Sequence, residues 1–179
     1  KTAVRRVVAG IEARMGSTRL PGKVLANIGG KPVLTRLPQR LQKAECIDDI
    51  VLATTDKPID DNLAQWAHEQ GVHCFRGEEN NVLARVVAAH RIMDTHTVVK
   101  LCGDMPLLDP FVIDKAVQTY QGSEGIDVVS TTRKRFFPDG VDVEVFPFSL
   151  LAKITELVVE QSDKEHVTSY FYRHPKNIK

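Results

Sequence analysis

The stretch VRRVVAGIEARMGSTRLPGK, residues 4–23, passes from an apolar segment directly into a loop rich in cations. Residues 4–9 are predicted to form a buried strand because valine and alanine dominate them. The loop that follows carries the permanent charges of Arg14, Arg19 and Lys23. By themselves these residues are compatible both with a site for a polyanion and with a basic surface loop made of turn residues.

The loop resembles neither of the two common phosphate-binding loops. The spacing GxxxxGK[ST] of the P-loop is missing from it, and so is the dinucleotide fingerprint GxGxxG. Its backbone N–H groups near Gly16, Ser17 and Thr18 are nevertheless suited to phosphate oxygens. If this loop binds a polyanion, it does so with a different arrangement of backbone and side chains.

The composition bounds the class of protein. The chain has 179 residues, 42% of them hydrophobic and 26% charged, as expected for a single globular domain with its own core. Its net charge is only +1, which argues against a nucleic-acid partner, so a polyanion site must be local.

The cysteines and the hydropathy pattern indicate the cellular setting. Cys46, Cys74 and Cys102 are odd in number and far apart, so neither a disulfide framework nor a cysteine metal site is expected. The sequence shows no signal peptide and no apolar run of membrane length. We therefore expect a cytoplasmic enzyme domain with no membrane partner.

Apolar strands alternate with amphipathic helices through most of the chain. This order predicts an α/β fold with a mostly parallel sheet covered on both faces. The pattern changes at residues 140–146, which alternate as a half-solvated strand would. The predicted strands are 4–9, 49–54, 72–75, 97–102, 127–130 and 140–146, and the predicted helices are 31–44, 60–70, 80–93, 110–120, 147–153 and 164–172.

The ends of the predicted strands indicate where a ligand binds. In open α/β sheets, ligands bind beyond the carboxyl ends of the strands. Residues 12–23, 54–56, 77–81 and 103–109 occupy those positions. The sequence therefore predicts that these four loops meet along one rim of the sheet.

The segment GDMPLLD places Asp104 directly after a buried strand. Such a carboxylate either caps a turn or holds a hard cation. Beside the basic loop we favour the cation, with Mg²⁺ shared between Asp104 and phosphate oxygens.

The segments FPDGVDVEVF and EHVTSYFYRHP supply further candidates. Asp142 and Glu144 are two residues apart and share a strand face, which is either solvated surface or the wall of an open cleft. His166 is either a ligand-binding residue or a satisfied interior histidine. The aromatic run at residues 170–172 is more typical of a core than of a platform for stacking bases.

Taken together, ARMGSTRLPGKVL, IGGKPVL, VLATTD, FRGEENNVLAR, GDMPLLDP, FPDGVDVEVF and EHVTSYFYRHP resemble a known family. The family is that of the cytidylyltransferases of the spore coat polysaccharide biosynthesis protein F type. The chain is more distantly similar to acylneuraminate and 3-deoxy-manno-octulosonate cytidylyltransferases. The resemblance spans nearly the whole chain in the expected order.

The resemblance implies a single nucleotidyltransferase domain over residues 1–179 with a Rossmann-like, three-layer α/β/α fold. It implies that a hydroxyl of a small sugar, of the acidic ulosonic class, attacks the α-phosphate of CTP. The products are a CMP-sugar and pyrophosphate, made for surface or spore-coat polysaccharide, with Mg²⁺ as the cofactor. Relatives often pair, which makes a homodimer possible.

The resemblance also assigns roles to residues of this chain. It implies that Arg14, Lys23, Asp104 and Asp142 are catalytic and that Asp104 binds the metal ion. The sugar would contact Asp142, Glu144, His166 and Arg173. The nucleotide would contact Ala13, Arg14, Gly16, Ser17, Thr18, Arg19, Lys23, Thr54, Thr55, Asp56, Arg85 and Gly103.

A missing segment and two alternative functions qualify this interpretation. Relatives continue past the RHP motif into a segment with a TVD-type acidic motif, and we expect this chain to lack that segment. The alternatives are a transferase for another nucleotide or sugar, and a catalytically silent nucleotide-binding domain of the same fold. Loss of the phosphate-binding cations or of the metal-binding acid would mark a silent domain, but Arg14, Lys23 and Asp104 are all present.

Overall fold

The valine-rich strand near the start of the chain lies inside a six-stranded sheet. The structure is a computed structural model that describes residues 5–134, 137–175 and 178. The strands of this sheet are β1 (Val7–Glu12), β4 (Asp49–Thr55), β5 (His73–Gly77), β6 (Thr97–Cys102), β7 (Val129–Ser130) and β8 (Glu144–Pro147). Their order in the sheet is β5-β4-β1-β6-β8-β7. A separate two-stranded hairpin consists of β2 (Asn27–Ile28) and β3 (Lys31–Pro32).

Helices cover both faces of the sheet, and each face has its own apolar core. One core contains Leu34, Leu37 and Ile113, and the other contains Phe146 and Phe171. The predicted mostly parallel α/β/α fold is thereby confirmed. The helices are α1 (Val33–Leu41), α2 (Asp61–Glu69), α3 (Val82–Ile92), α4 (Pro110–Gly122), α5 (Phe148–Leu157), α6 (Gln161–Glu165) and α7 (Ser169–Arg173).

The first strand is shifted along the chain relative to the predicted strand 4–9, of which residue 4 lies outside the described residues. β1 covers Val7–Glu12 and extends past residue 9 because it pairs in parallel with β4 and β6 as far as Glu12. The carboxyl end of the strand therefore carries Glu12 to the rim of the sheet.

The last two strands of the sheet differ from the sequence-based prediction. β8 runs antiparallel to β6 and to β7, and it begins only at Glu144. Glu144 is just 5% exposed, so the expected solvated strand face is wrong for this residue. Its carboxylate is buried because side chains from β6 and the C-terminal helices neutralise and hydrogen-bond it.

The helix predicted at residues 164–172 is split into α6 and α7. His166 caps the C-terminal end of α6, and its extended backbone interrupts the helical path. No helix within the described ranges combines the length and apolar character that crossing a bilayer requires.

A buried histidine holds α3 against β1. His90 is fully buried, its Nδ1 lies 3.1 Å from Thr95 Oγ1, and its ring packs on Gly10. Burial lowers the pKa of His90 from its usual 6.5 to about 4.

This histidine makes stability depend on pH. Between pH 6.5 and 4 the unfolded chain binds a proton at residue 90 that the folded chain does not, so the free energy of unfolding falls as the pH falls. From pH 7.5 to pH 5 we expect a loss of about 2 kcal/mol from this group. Urea unfolding at both pH values gives the loss in the free energy of unfolding for the parent protein and for His90→Gln. The difference between these two losses is the contribution of His90. His68→Gln, at an exposed site, is the control, and an equal loss in the parent protein and His90→Gln would contradict the prediction.

Candidate active site

An open cleft of about 510 Å³ lies where β1 and β6 end. The first loop, the segment after β6, the start of α3 and the end of α6 form its walls. Three of the predicted rim segments, 12–23, 77–81 and 103–109, contribute lining residues, whereas 54–56 does not. The cleft is therefore formed by segments that are far apart in sequence.

The first loop is closed on itself by its own backbone. The carbonyl of Met15 accepts hydrogen bonds from the N–H groups of Ser17 at 2.8 Å and Gly22 at 3.0 Å. Gly22 has a φ of 71°, which favours glycine, and it leads into the 3-10 turn Lys23–Leu25. The N–H of Met15 donates to Asp60 Oδ1 at 2.7 Å, which anchors the loop to the chain before α2. This closed loop directs Arg14, Arg19 and Lys23 to the cleft.

The segment after β6 packs tightly on the start of this loop. A Cβ atom added at Gly103 would lie 2.8 Å from the Cβ of Ala13 and 3.0 Å from Leu34 Cδ1. Glycine at position 103 thus allows the close approach that brings Asp104 beside Lys23. The carboxylate of Asp104 and the ammonium of Lys23 form an ion pair across the cleft wall. Both side chains stay accessible, at 37% exposed for Asp104 and 29% for Lys23.

Two arginines add further positive charge to the cleft. Arg14 Nη1 lies 3.3 Å from Glu79 Oε1 in an exposed ion pair. Arg85, on α3, is only 3% exposed, and its Nη1 donates to the carbonyl of Glu78 at 2.6 Å. Burial lowers the pKa of Arg85, although Glu12 acts against this shift. The arginine at position 85 is thus fixed by backbone contacts, whereas Arg14 is free to exchange partners.

A buried charge network lies under the floor of the cleft. Lys100 Nζ lies 3.4 Å from Glu144 Oε2 and 3.9 Å from Glu12 Oε1. Burial alone would lower the pKa of Lys100, but the charges of Glu12, Cys102 and Glu144 carry it above its ordinary value. Burial raises the pKa of Glu12, against the opposing charges of Lys100 and Arg85, and raises that of the Cys102 thiol to about 11. Cys102 therefore stays a neutral thiol near neutral pH.

Another hollow, of about 590 Å³, lies beside the β2–β3 hairpin. Its arginines are already engaged, because Arg36 donates to the carbonyl of Ile28 and Arg40 to that of Leu108. The cleft at β1 and β6 is the better candidate because it combines accessible cations with an accessible carboxylate.

A sequence model of the cytidylyltransferases matches residues 8–179. The chain belongs to the cytidylyltransferase family.

Similarity to individual proteins supports this family membership. The chain is 37% identical to the spore coat polysaccharide biosynthesis protein SpsF of Bacillus subtilis, over 92% of this chain and 69% of that protein. It is 33% identical to a 3-deoxy-manno-octulosonate cytidylyltransferase of Trichlorobacter lovleyi, over 68% of this chain and 47% of that relative. A solved cytidylyltransferase from Leptospira borgpetersenii superposes with a TM-score of 0.92 at 32% identity, over 97% of this chain and 73% of that one. The resemblance inferred from the sequence motifs is confirmed.

The structure brings most of the predicted nucleotide-binding residues to the cleft. Gly16 lies beside Glu79, since a Cβ atom added there would be 3.6 Å from Glu79 Oε1. The predicted residues that line the cleft are Ala13, Arg14, Ser17, Thr18, Arg19, Lys23, Arg85, Gly103, Asp104 and His166.

The end of β4 is linked to the first loop through Asp60. Thr54 and Thr55 are fully buried, and the hydroxyl of Thr55 bonds to the carboxylate of Asp60, the residue that anchors Met15. Asp56 is exposed, and its N–H donates to the carbonyl of Gly77. None of these three predicted residues lines the cleft.

The predicted sugar-binding residues are dispersed. Arg173 lies outside the cleft, where it pairs with Asp163 and, at 2.6 Å, with Glu160. Asp142 precedes β8 and does not line the cleft, and Glu144 is buried in the charge network. Of this group, His166 alone reaches the cleft among the residues that the structure describes.

The accessible carboxylate in the cleft is of the type that magnesium shares with phosphate groups. Within the described part of the chain, no three His, Cys, Asp or Glu side chains are grouped to hold a metal ion. Mg²⁺ is commonly bound by one or two carboxylates together with substrate phosphates. The accessible carboxylate of Asp104, beside the cations of the first loop, suits that arrangement, and its role as a metal ligand stays a prediction.

Sequence reasoning overlooked Glu12 and Lys100. Glu12 fell within a predicted rim segment without a role of its own, and Lys100 was counted as part of an apolar strand. The available signal was a charged residue inside each of two buried strands, since such residues are almost never buried unless paired.

Proposed function

We propose that this protein transfers CMP from CTP to a hydroxyl group of an acidic, ulosonic-type sugar and releases pyrophosphate. The observation that carries the proposal is the cleft at the carboxyl ends of β1 and β6, which Arg14, Lys23 and Asp104 line and in which Lys23 pairs with Asp104. The sugar class is taken from the name of the 3-deoxy-manno-octulosonate cytidylyltransferase relative. A homodimer and a cytoplasmic location stay predictions.

The reaction needs little covalent chemistry from the protein. The hydroxyl oxygen forms a bond to the α-phosphorus, the hydroxyl proton is lost, and the bond from that phosphorus to the bridging oxygen of pyrophosphate breaks. Phosphoryl and nucleotidyl transfer depend chiefly on positioning and on neutralising charge. Arg14 and Lys23 supply fixed positive charge, and Mg²⁺, when bound at Asp104, adds charge neutralisation at the phosphates.

Pyrophosphate release tests the proposal. Each of the four nucleoside triphosphates is incubated with magnesium and with 3-deoxy-manno-octulosonate, an acylneuraminate or a neutral hexose as the acceptor. Release with CTP and one acidic sugar is the expected result. Release with another nucleotide or only with a neutral sugar would overturn the stated specificity.

Thermal unfolding separates binding from turnover in the same protein. A ligand that binds only the folded state raises the free energy of unfolding by about 2.7 kcal/mol when its concentration is a hundredfold above its dissociation constant. We expect a magnesium-enhanced shift with CTP. Stabilisation by CTP without turnover for any acceptor would favour the silent nucleotide-binding domain over the enzyme.

Lys23 is expected to contact the distal phosphates. In Lys23→Ala the affinity for CTP should fall about tenfold or more, because a hydrogen bond to a charged group contributes roughly 1.5–3 kcal/mol. The affinity for CMP, which lacks those phosphates, should change less than about threefold. Isothermal titration with both nucleotides measures the difference, and Lys31→Ala on the β2–β3 hairpin is the control. Equal losses for CTP and CMP would place Lys23 elsewhere.

A further inference from the structure

Two buried polar atoms at the cleft have no hydrogen-bond partner within the described part of the chain. They are Glu12 Oε1, an acceptor, and Arg85 Nε, a donor. Both residues line the cleft, and Arg85 is 3% exposed. Leaving a buried polar group without a hydrogen bond is costly, so two such atoms on residues that line one cleft indicate a ligand that satisfies both.

Neighbouring groups contact each of the two side chains but form no hydrogen bond to either atom among the described residues. Arg85 Nη1 donates to the carbonyls of Glu78 and Glu79, and these bonds fix the plane of the guanidinium. They leave the N–H of Nε without an acceptor among the described residues. The nearest cation to Glu12 Oε1 is Lys100 Nζ at 3.9 Å, which is beyond hydrogen-bond distance and closer to Glu144. A carboxyl group keeps acceptor capacity in either protonation state, so Glu12 presents an acceptor to the cleft.

We propose that Glu12 and Arg85 read the base of the bound nucleotide. Glu12 accepts a hydrogen bond from the 4-amino group of cytosine, and Arg85 donates to the neighbouring ring nitrogen or to the 2-carbonyl. A carboxylate that accepts from the cytosine amino group is a known mode of base recognition. The proposal rests on the proposed function, since it assigns the base subsite of the same cleft.

This pairing discriminates against uracil. Uracil has a carbonyl oxygen where cytosine has its amino group, so that oxygen would face the acceptor of Glu12. Arg14 and Lys23 line the same cleft. With the triphosphate held by these two cations, as proposed above, the ring would not be able to slide to present its N3–H instead. Base contacts of this kind discriminate by about 1–3 kcal/mol, which corresponds to roughly a 5- to 150-fold preference for CTP.

The test is Glu12→Gln, which keeps the shape of the side chain. A glutamine amide accepts from the cytosine amino group through its oxygen and donates to the uracil carbonyl through its nitrogen. We expect the UTP-to-CTP ratio of dissociation constants to fall at least about tenfold, mainly because UTP binds more tightly. Titration calorimetry with CTP and UTP measures the ratio, and a thermal melt confirms that the variant is folded.

Glu79→Gln is the matched control, because Glu79 also lines the cleft but its carboxylate already pairs with Arg14. This change should alter both affinities together and leave the ratio within about twofold. A ratio unchanged in Glu12→Gln, with CTP bound by the parent protein, would overturn the assignment of Glu12 alone. Failure of the parent protein to bind CTP would overturn the proposed function and the base subsite with it.

Discussion

Replacing Asp104 by asparagine is expected to lower the rate of CMP transfer at least about 100-fold while the protein stays folded. The change removes a negative charge from the cleft wall without changing the volume of the side chain. Loss of one group that stabilises transition-state charge typically costs 100- to 1000-fold in rate. Asp104 is accessible and pairs only with Lys23 among the interactions described, so the fold does not depend on it.

The measurement is the rate of pyrophosphate release as a function of magnesium concentration. The dependence on magnesium should weaken in Asp104→Asn, because the carboxylate proposed to share the ion is gone. Asp109→Asn is the control from the same segment: Asp109 accepts from the N–H of Phe111 as the N-cap of α4, a role that asparagine also fills. Full magnesium-dependent activity in Asp104→Asn would exclude Asp104 as the metal ligand.

Replacing Gly10 by alanine is expected to destabilise the fold by about 3 kcal/mol, at the upper end of the usual cost of overpacking. A Cβ atom at this position would lie 2.9 Å from Cε1 of His90 and closer still to Nε2. The ring is fully buried and bonded through Nδ1 to Thr95, so it has no space to withdraw. Urea unfolding monitored by circular dichroism measures the loss.

A double variant tests whether contact with His90 causes this loss of stability. The cost of Gly10→Ala should shrink to about 1 kcal/mol or less in a His90→Ala background, because the added methyl group then fills the space that the ring leaves. Gly122→Ala, at the end of α4, is the control, since nothing lies within 4 Å of a Cβ atom built there. A loss that is the same in both backgrounds would show that contact with His90 is not the cause.

The elements with the strongest patterns were predictable from the sequence. The strand at residues 97–102 has the predicted bounds, and α4 begins at the predicted Pro110. An apolar run bounded by polar residues specifies a buried strand locally, and Asp109 followed by proline marks the start of a helix. The rule that ligands bind at the carboxyl ends of strands then located the cleft.

Residues whose roles depend on distant partners were predicted less well. The alternation at residues 140–146 indicated a solvated acid at Glu144, whereas Lys100, Thr168 and Tyr172 surround its carboxylate in the structure. A period of two specifies which residues share a face, but it does not specify what covers that face. Arg173 likewise lies outside the cleft because two acids before α7 bind it.

The sequence by itself determined the class of fold, the cationic first loop and the position of Asp104 after a buried strand. These follow from local patterns, because hydrophobic periodicity and turn residues act over a few positions. Only the tertiary structure decided that Thr54 and Thr55 are buried away from the cleft lining and that Glu12 and Arg85 line the same cleft. The burial and pairing of a polar side chain depend on elements that are far away in sequence, and folding alone brings those elements together.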